Sequence, residues 1–296
     1  IMNTYLQDFL DHLYDHDKSE QTIRAYLSDL STFSHWLELQ VDESFSPQIV
    51  TPLDIVNYRK WLKENGKKST TINRHLASLS SFCKWSYQSG LVPSDPSENI
   101  KSIAGETLGP KSLERKEQLA LVRAVQRSGR KRDLAIINLL LHTGIRVSEL
   151  CHLKTDDIIT DGRKGIIKVT HGKGNKARHV PLNSTALKSL GMHIASEEDK
   201  SSSKKRSTHV FYGQKGQPLT VRGVRHLIKK YSYEAKIVGI SPHTLRHTCA
   251  KNLIDAGQPI DRVAKILGHS SINTTSIYTM PTESDLQKTL QSISWE

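Results

Sequence analysis

The sequence predicts a mainly α-helical protein of two domains, with a small antiparallel β-sheet in the C-terminal one. Three observations carry that expectation. Apolar residues recur at helical spacing through the first ninety positions. A polar stretch at 93–112, punctuated by Pro93, Pro96, Gly105, Gly109 and Pro110, then separates an N-terminal helical domain at 1–92 from a second domain at 113–296. Within the second domain two short β-prone runs flank a turn rich in glycine and asparagine. A chain of 296 residues is long enough for each domain to bury its own core.

The elements follow in order. Leu6, Phe9, Leu10 and Leu13 form the stripe of a first helix behind an Asn3 cap. A second helix, from about Ser19, lines up Ile23, Tyr26, Leu27, Leu30, Phe33 and Leu37. Thr51 caps a third, with Pro52 at the first helical position, where a missing N–H costs nothing. The fourth starts near Ser69 and carries Ile72, Leu76, Leu79 and Phe82. In the second domain, helices are expected around 114–128 and 131–142. Strands are expected at Ile166–Thr170 and Ala177–Pro181 around the turn 171–176, with a further short strand at His209–Tyr212. Helices near 220–237, 242–256 and 259–267 follow, then a short tail helix after Pro281. The run 196–207 (SEEDKSSSKKRS) reads as an exposed irregular loop.

Charge is divided unevenly between the two parts. The formal net charge is +12, yet residues 1–110 carry 10 basic and 14 acidic side chains, a net −4. Residues 111–296 carry 32 and 16, a net +16. A polyanionic partner would therefore be held mainly by the second part. Lys63, Lys67, Lys68 and Arg74 form a local basic patch in the acidic first domain, either a solvated face or a contact to the polyanion. Cys83, Cys151 and Cys249 are widely spaced and form no CxxC pair, which argues against a disulfide framework and for a reducing compartment. The N-terminal segment is acidic where a signal peptide would be basic, and the longest apolar run, Leu134 to Leu141, is too short to span a bilayer. A soluble, cytoplasmic protein is expected.

Three segments hold polar residues with poor structural excuses: 142–150 (HTGIRVSEL), 243–247 (HTLRH) and 267–278 (LGHSSINTTSIY). Taken singly each has a plain explanation, since Arg146 could pair with Glu149, His269 could cap a helix and Tyr278 could be a core aromatic. Taken together, with a lysine in the 171–176 turn, they suit a phosphodiester. Arginines stay protonated and bind two oxygens at once, as extra charge on non-bridging oxygens requires. Histidines add hydrogen bonds and proton transfer near neutral pH, and a tyrosine hydroxyl can attack phosphorus.

These segments resemble the boxes of the tyrosine recombinase family (lambda-integrase-like, phage integrase), particularly its Xer-like and transposon-encoded members. TGIRVSEL resembles the box around the first catalytic arginine, GKGNKARHVPL the hairpin bearing the catalytic lysine, HTLRHT the HxLR box, and LGHSSINTTSIYT the box ending in the tyrosine. The resemblance implies a two-domain, C-shaped clamp on double-stranded DNA, with 1–92 as the SAM-like core-binding domain and 113–296 as the catalytic domain. It implies Tyr278 as nucleophile, Arg146, Arg246, His243 and His269 around the scissile phosphate, and Lys173 as general acid for the 5′-hydroxyl. Glu149 would support Arg146 or a histidine, and Lys176 competes for the lysine role. Met280 stands where many relatives carry a histidine.

It further implies site-specific recombination through a 3′-phosphotyrosyl intermediate and a Holliday junction, without metal, ATP or other cofactor. A homotetramer would assemble on paired core sites through the tail, where Leu286, Leu290 and Ile293 form a stripe that would dock on a neighbouring protomer or, alternatively, on its own domain, with accessory proteins as further partners. Mobile-element or replicon resolution would be the setting, in a nucleoid-associated bacterial protein, and Lys67, Lys68 and Arg74 would contact DNA. A zinc hydrolase using His243 and His247 at i, i+4 lacks the glutamate of an HExxH motif. A type IB topoisomerase would share the chemistry, and a catalytically dead DNA-binding regulator should have lost a member of the set. Plasmid relaxation in chelator separates the three.

Overall fold

The computed structural model describes residues 3–16, 18–104, 110–161, 163–170, 177–198, 208–268, 273–279 and 290–291. The chain divides into two compact units, Ile1–Glu106 and Thr107–Glu296. Among the described residues no helix is long and apolar enough to cross a membrane.

The first unit packs four helices: α1 (Thr4–Asp15), α2 (Glu20–Val41), α3 (Pro52–Glu64) and α4 (Ser69–Gln88). Their starts follow the sequence chemistry. Asn3, Ser19 and Thr51 each accept a hydrogen bond from a first-turn N–H, and the Asp54 carboxylate accepts one from the Thr51 backbone N–H. The stripes turn inward onto an aromatic core in which Phe9, Phe33, Phe45, Tyr58 and Phe82 are almost wholly buried. Phe9 meets Phe82 edge-on at 5.4 Å, and Phe33 meets Tyr58 at 5.0 Å. Each such ring contributes about 1.5–3 kcal/mol by leaving water.

One polar centre lies inside that core. Asp29 on α2 is buried and accepts hydrogen bonds from Arg74 and Ser78 on α4, while His75 Nε2 lies 3.3 Å from it. The other His75 nitrogen meets the Tyr58 hydroxyl of α3 at 3.0 Å, so three helices are laced together.

The stretch at 93–112 is structured along most of its length. Ile100 and Ile103 pack on the first unit's core, and the Asn73 side chain clasps both the N–H and the C=O of Ile103 at 2.8 Å. Leu113 is already part of the second core, its N–H bonded to Thr248 Oγ1. Residues 105–109 lie outside the described set.

The second unit holds α5 (Arg115–Arg127), α6 (Lys131–Thr143), α7 (Val147–His152), α8 (Ser184–Glu198), α9 (Val221–Glu234), α10 (Pro242–Asp255), α11 (Ile260–Leu267) and α12 (Asn273–Ser276). Its sheet is antiparallel, in the order β1 (Ile158–Thr160), β2 (Gly165–Val169), β3 (Arg178–Leu182), with Ile167 opposite Val180. Helix α6, buried nearly all round, is the centre of the core, which matches its continuous apolar sequence.

The structure corrects two expectations and adds two elements. Residues 209–212 do not form a strand: single bridges join Lys154 to His209 and Tyr212 to Pro218, and between them Val210 and Phe211 are both buried rather than alternating. Helix α8, unread in the sequence, packs along α6 through Ala186, Ser189, Leu190 and His193, and it takes in residues 196–198 of the expected loop. Strand β1 was also unread, being three residues long. The turn 171–176 and the tail helix, apart from Leu290 and Gln291, lie outside the described residues.

Candidate active site

The site is built around the C-terminal end of α11. A helix leaves its last carbonyls without intrahelical partners, and these carry the negative end of the helix dipole. Here three arginines take them. Arg178 Nε donates to the carbonyl of Ile266 at 3.2 Å, an Arg246 nitrogen to that of Leu267 at 2.7 Å, and an Arg146 nitrogen to that of Gly268 at 3.1 Å. Arg246 also donates to the carbonyl of Gly144, which ends α6. One guanidinium thus ties two helix ends together.

Both glycines are demanded by this arrangement. Gly268 has φ +69°, and a Cβ there would fall 2.8 Å from the Arg178 guanidinium carbon. Gly144 has φ +62°, and a Cβ would fall 2.5 Å from a Leu267 methyl. A side chain at either position would push an arginine or α11 out of place.

Glu149 is the counter-charge. It is 5% exposed, its carboxylate accepts both terminal nitrogens of Arg178 at 2.8 Å and one of Arg146 at 3.0 Å, and it returns to the Arg146 N–H at 2.7 Å to cap α7. Burial alone would raise its pKa. The Arg178 and Arg146 hydrogen bonds outweigh that and hold the carboxyl below its ordinary value. Arg246, 5% exposed, is pulled down to about 10, first by burial and then by the positive charge of Arg146. Among the described residues, three guanidinium groups therefore face one carboxylate, which leaves a cationic surplus.

Helix α10 opens behind Ser241 and Pro242, with Ser241 capping Thr244. It sends Arg246 inward and leaves His243 exposed one turn earlier. His243 is held below its ordinary pKa by loss of water around it, then by Arg246, Arg225 and Arg146. Tyr278, just past α12, is 6% exposed and packs with Ala250, Val263 and Leu267. Burial raises its phenol, against the pull of Arg246 and Arg146. Its hydroxyl lies 3.1 Å from His247 Nδ1.

The expected residues Arg146, Glu149, His243, Arg246 and Tyr278 are thus gathered in one place. Lys173, its competitor Lys176, and His269 lie outside the described residues. Lys67 and Lys68 are exposed on the first unit, whereas Arg74 is engaged by buried Asp29 and is not a free surface cation. Arg178 and His247 were not anticipated. Arg178 reads as an ordinary strand residue, and nothing in the sequence alone marks it as a partner of Glu149. His247 was weighed only as a partner of His243, but their rings are 6.5 Å apart at an angle of 34°, and His247 turns to the tyrosine instead.

A mainly helical domain that gathers guanidinium groups at a helix end, with a phenol alongside, has the chemistry to bind an oxyanion next to a hydroxyl. Residues 111–284 match the phage integrase family and residues 6–90 the N-terminal SAM-like domain of phage integrases. The chain belongs to the phage integrase family of tyrosine recombinases. It is 35% identical over 285 residues to the tyrosine recombinase XerC of Thermodesulfovibrio yellowstonii, covering 93% of this chain and 91% of that one. It is 34% identical over 287 residues to the tyrosine recombinase XerD of Listeria monocytogenes, covering 95% of each. Its fold is similar to the Tn1549 transposon integrase solved with circular intermediate DNA, at a TM-score of 0.76 and 20% identity over 98% of this chain and 99% of that one.

Proposed function

We propose that the protein is a site-specific DNA recombinase that cleaves and rejoins duplex DNA at core sites through a 3′-phosphotyrosyl intermediate. The observation that carries this is the cationic surplus at the end of α11, placed beside the Tyr278 hydroxyl. Tyr278 attacks the scissile phosphorus and the 5′-oxygen leaves. Arg146 and Arg246 bind the non-bridging oxygens, whose charge grows in the transition state, with His243 and His269 adding hydrogen bonds. Glu149 holds Arg146 in place. Lys173 protonates the 5′-oxygen, and 5′-bridging phosphorothiolate DNA distinguishes it from Lys176, because a thiolate leaves without a proton and restores cleavage only to the variant lacking the acid.

Strands exchange in pairs through a Holliday junction in a homotetramer joined by the tail, in the service of a mobile element or of replicon resolution. The second unit supplies most of the salt-dependent affinity, and Lys67 and Lys68 of the first add phosphate contacts. The XerC and XerD relatives and the DNA-bound integrase support this assignment by likeness. Tyr278→Phe should bind the same DNA with the same affinity, in chelator, and form no covalent adduct. An adduct that survives denaturation with this variant would overturn the proposal.

A further inference from the structure

We propose that His247 is the proton acceptor for the Tyr278 hydroxyl during cleavage, and the donor that restores it on rejoining, because its Nδ1 lies 3.1 Å from that hydroxyl with the ring against the phenol. The role rests on Tyr278 being the nucleophile.

A buried phenol raised above its ordinary pKa is neutral near physiological pH, and a neutral phenol is a poor nucleophile until its proton has somewhere to go. The described groups around Tyr278 differ in what they offer. Arg246 and Arg146 carry no lone pair to receive a proton. Cys249 is a thiol pushed up to about 12 by burial. His247 is pulled down to about 4 by burial, then by His243 and Arg246, so its ring is neutral and one nitrogen has a free lone pair. The charge of a scissile phosphate arriving between these cations would raise the basicity of His247 when it is needed.

The placement follows from α10. Arg246 and His247 are consecutive, so the helix turn that sends the guanidinium to the carbonyls of Leu267 and Gly144 swings the imidazole toward Tyr278. One element therefore carries both an oxygen ligand and a base. In cleavage the Tyr278 Oη–P bond forms as the P–O5′ bond breaks. The phenolic proton passes to His247 Nδ1, and the 5′-oxygen takes its proton from the separate acid proposed above. In rejoining the 5′-hydroxyl attacks phosphorus, gives its proton back to that acid, and the His247 imidazolium returns its own to the departing Tyr278 oxygen.

His247→Asn tests this, because the asparagine amide can reach the place of Nδ1 and hold the hydroxyl without accepting its proton. On a nicked duplex that traps the adduct, this variant should bind normally but cleave about 10²–10³-fold more slowly near neutrality. The deficit should shrink about tenfold per pH unit in alkaline solution, as the phenol ionises unaided. A 5′-bridging phosphorothiolate should not restore the rate, because the leaving group is not what fails. His247→Ala should recover in part with added imidazole. A His247→Asn rate within about threefold of the unsubstituted protein, with the same pH profile, would overturn the role and leave only a contact. Tyr278→Phe, run alongside, keeps the two questions apart: an adduct there removes the nucleophile, whereas fast cleavage by His247→Asn with no Tyr278→Phe adduct removes only the base.

Discussion

Each unit buries a charged centre, and the two are balanced differently. In the first, the Asp29 carboxylate is met by Arg74, Ser78 and His75, and the Arg74 side chain is still 47% exposed to water. One anion faces one full cation, and the centre is complete. In the second, Arg146 and Arg178 share Glu149, the one carboxylate bonded to them among the described residues, and Arg246 has no bond to it; backbone carbonyls of Ile266, Leu267, Gly268 and Gly144 take further bonds from the three. Carbonyls satisfy hydrogen bonds but do not cancel charge. The first centre is what a fold needs to join three helices; the second stores repulsion that, under the proposed function, an arriving phosphate would relieve. That surplus, rather than the presence of charge, distinguishes a site from a structural network.

The sharpest way to break the comparison is to remove charge from each centre in turn. Arg246→Ala should slow adduct formation by about 10²–10³-fold. Arg246→Lys should recover little, since one ammonium cannot span the carbonyls of Gly144 and Leu267. Arg178→Met, which leaves Glu149 to Arg146 alone, should slow cleavage by about 10- to 10²-fold through misplacement of Arg146, with DNA affinity nearly kept. Asp29→Asn should do the opposite: cleavage per folded molecule unchanged, and stability in urea reduced by about 1–3 kcal/mol. A cleavage defect in Asp29→Asn as large as that of Arg178→Met would erase the distinction.

Acid should act on both units in the same direction. His75, His142, His243 and His247 all have folded pKa values below 6.5 through burial, so unfolding takes up protons as pH falls below that value. Stability is therefore lost as pH drops from 6.5 toward about 4, the lower bound set by His247. Thermal unfolding of His247→Asn across this window should show a shallower decline. The smallest expected effect concerns the basic patch. Neutralising Lys67 and Lys68 should lower the salt-dependence slope of DNA binding by about two charges' worth, and adding Arg74→Ala should change it little further, because Asp29 already engages that charge.

Much of this was legible in the sequence, for physical reasons. The first four helices announce themselves because their stripes are large and apolar, and the first three also open behind conventional caps. Arg146, Arg246, His243 and Tyr278 stand out because each is a polar residue beside an apolar run. Helix α8 hid because its inward face sets Ser189 and His193 among Ala186 and Leu190, which blurs the hydropathy contrast. The stretch at 93–104 looks like a free linker because its attachment is a side-chain clasp from Asn73 and not an apolar stripe. Arg178 and His247 were missed for a related reason. Their importance lies in what they touch, Glu149 and Tyr278, and those partners are distant in sequence.

The central claim is that the cationic end of α11 holds a scissile phosphate for attack by Tyr278. The most direct test is to trap the covalent complex on nicked duplex DNA, digest both components, and locate the nucleotide by mass spectrometry. The account predicts a nucleotide joined through its 3′-phosphate to the peptide containing Tyr278. A nucleotide on Tyr212 or Tyr231, or attachment through a 5′-phosphate, would contradict it.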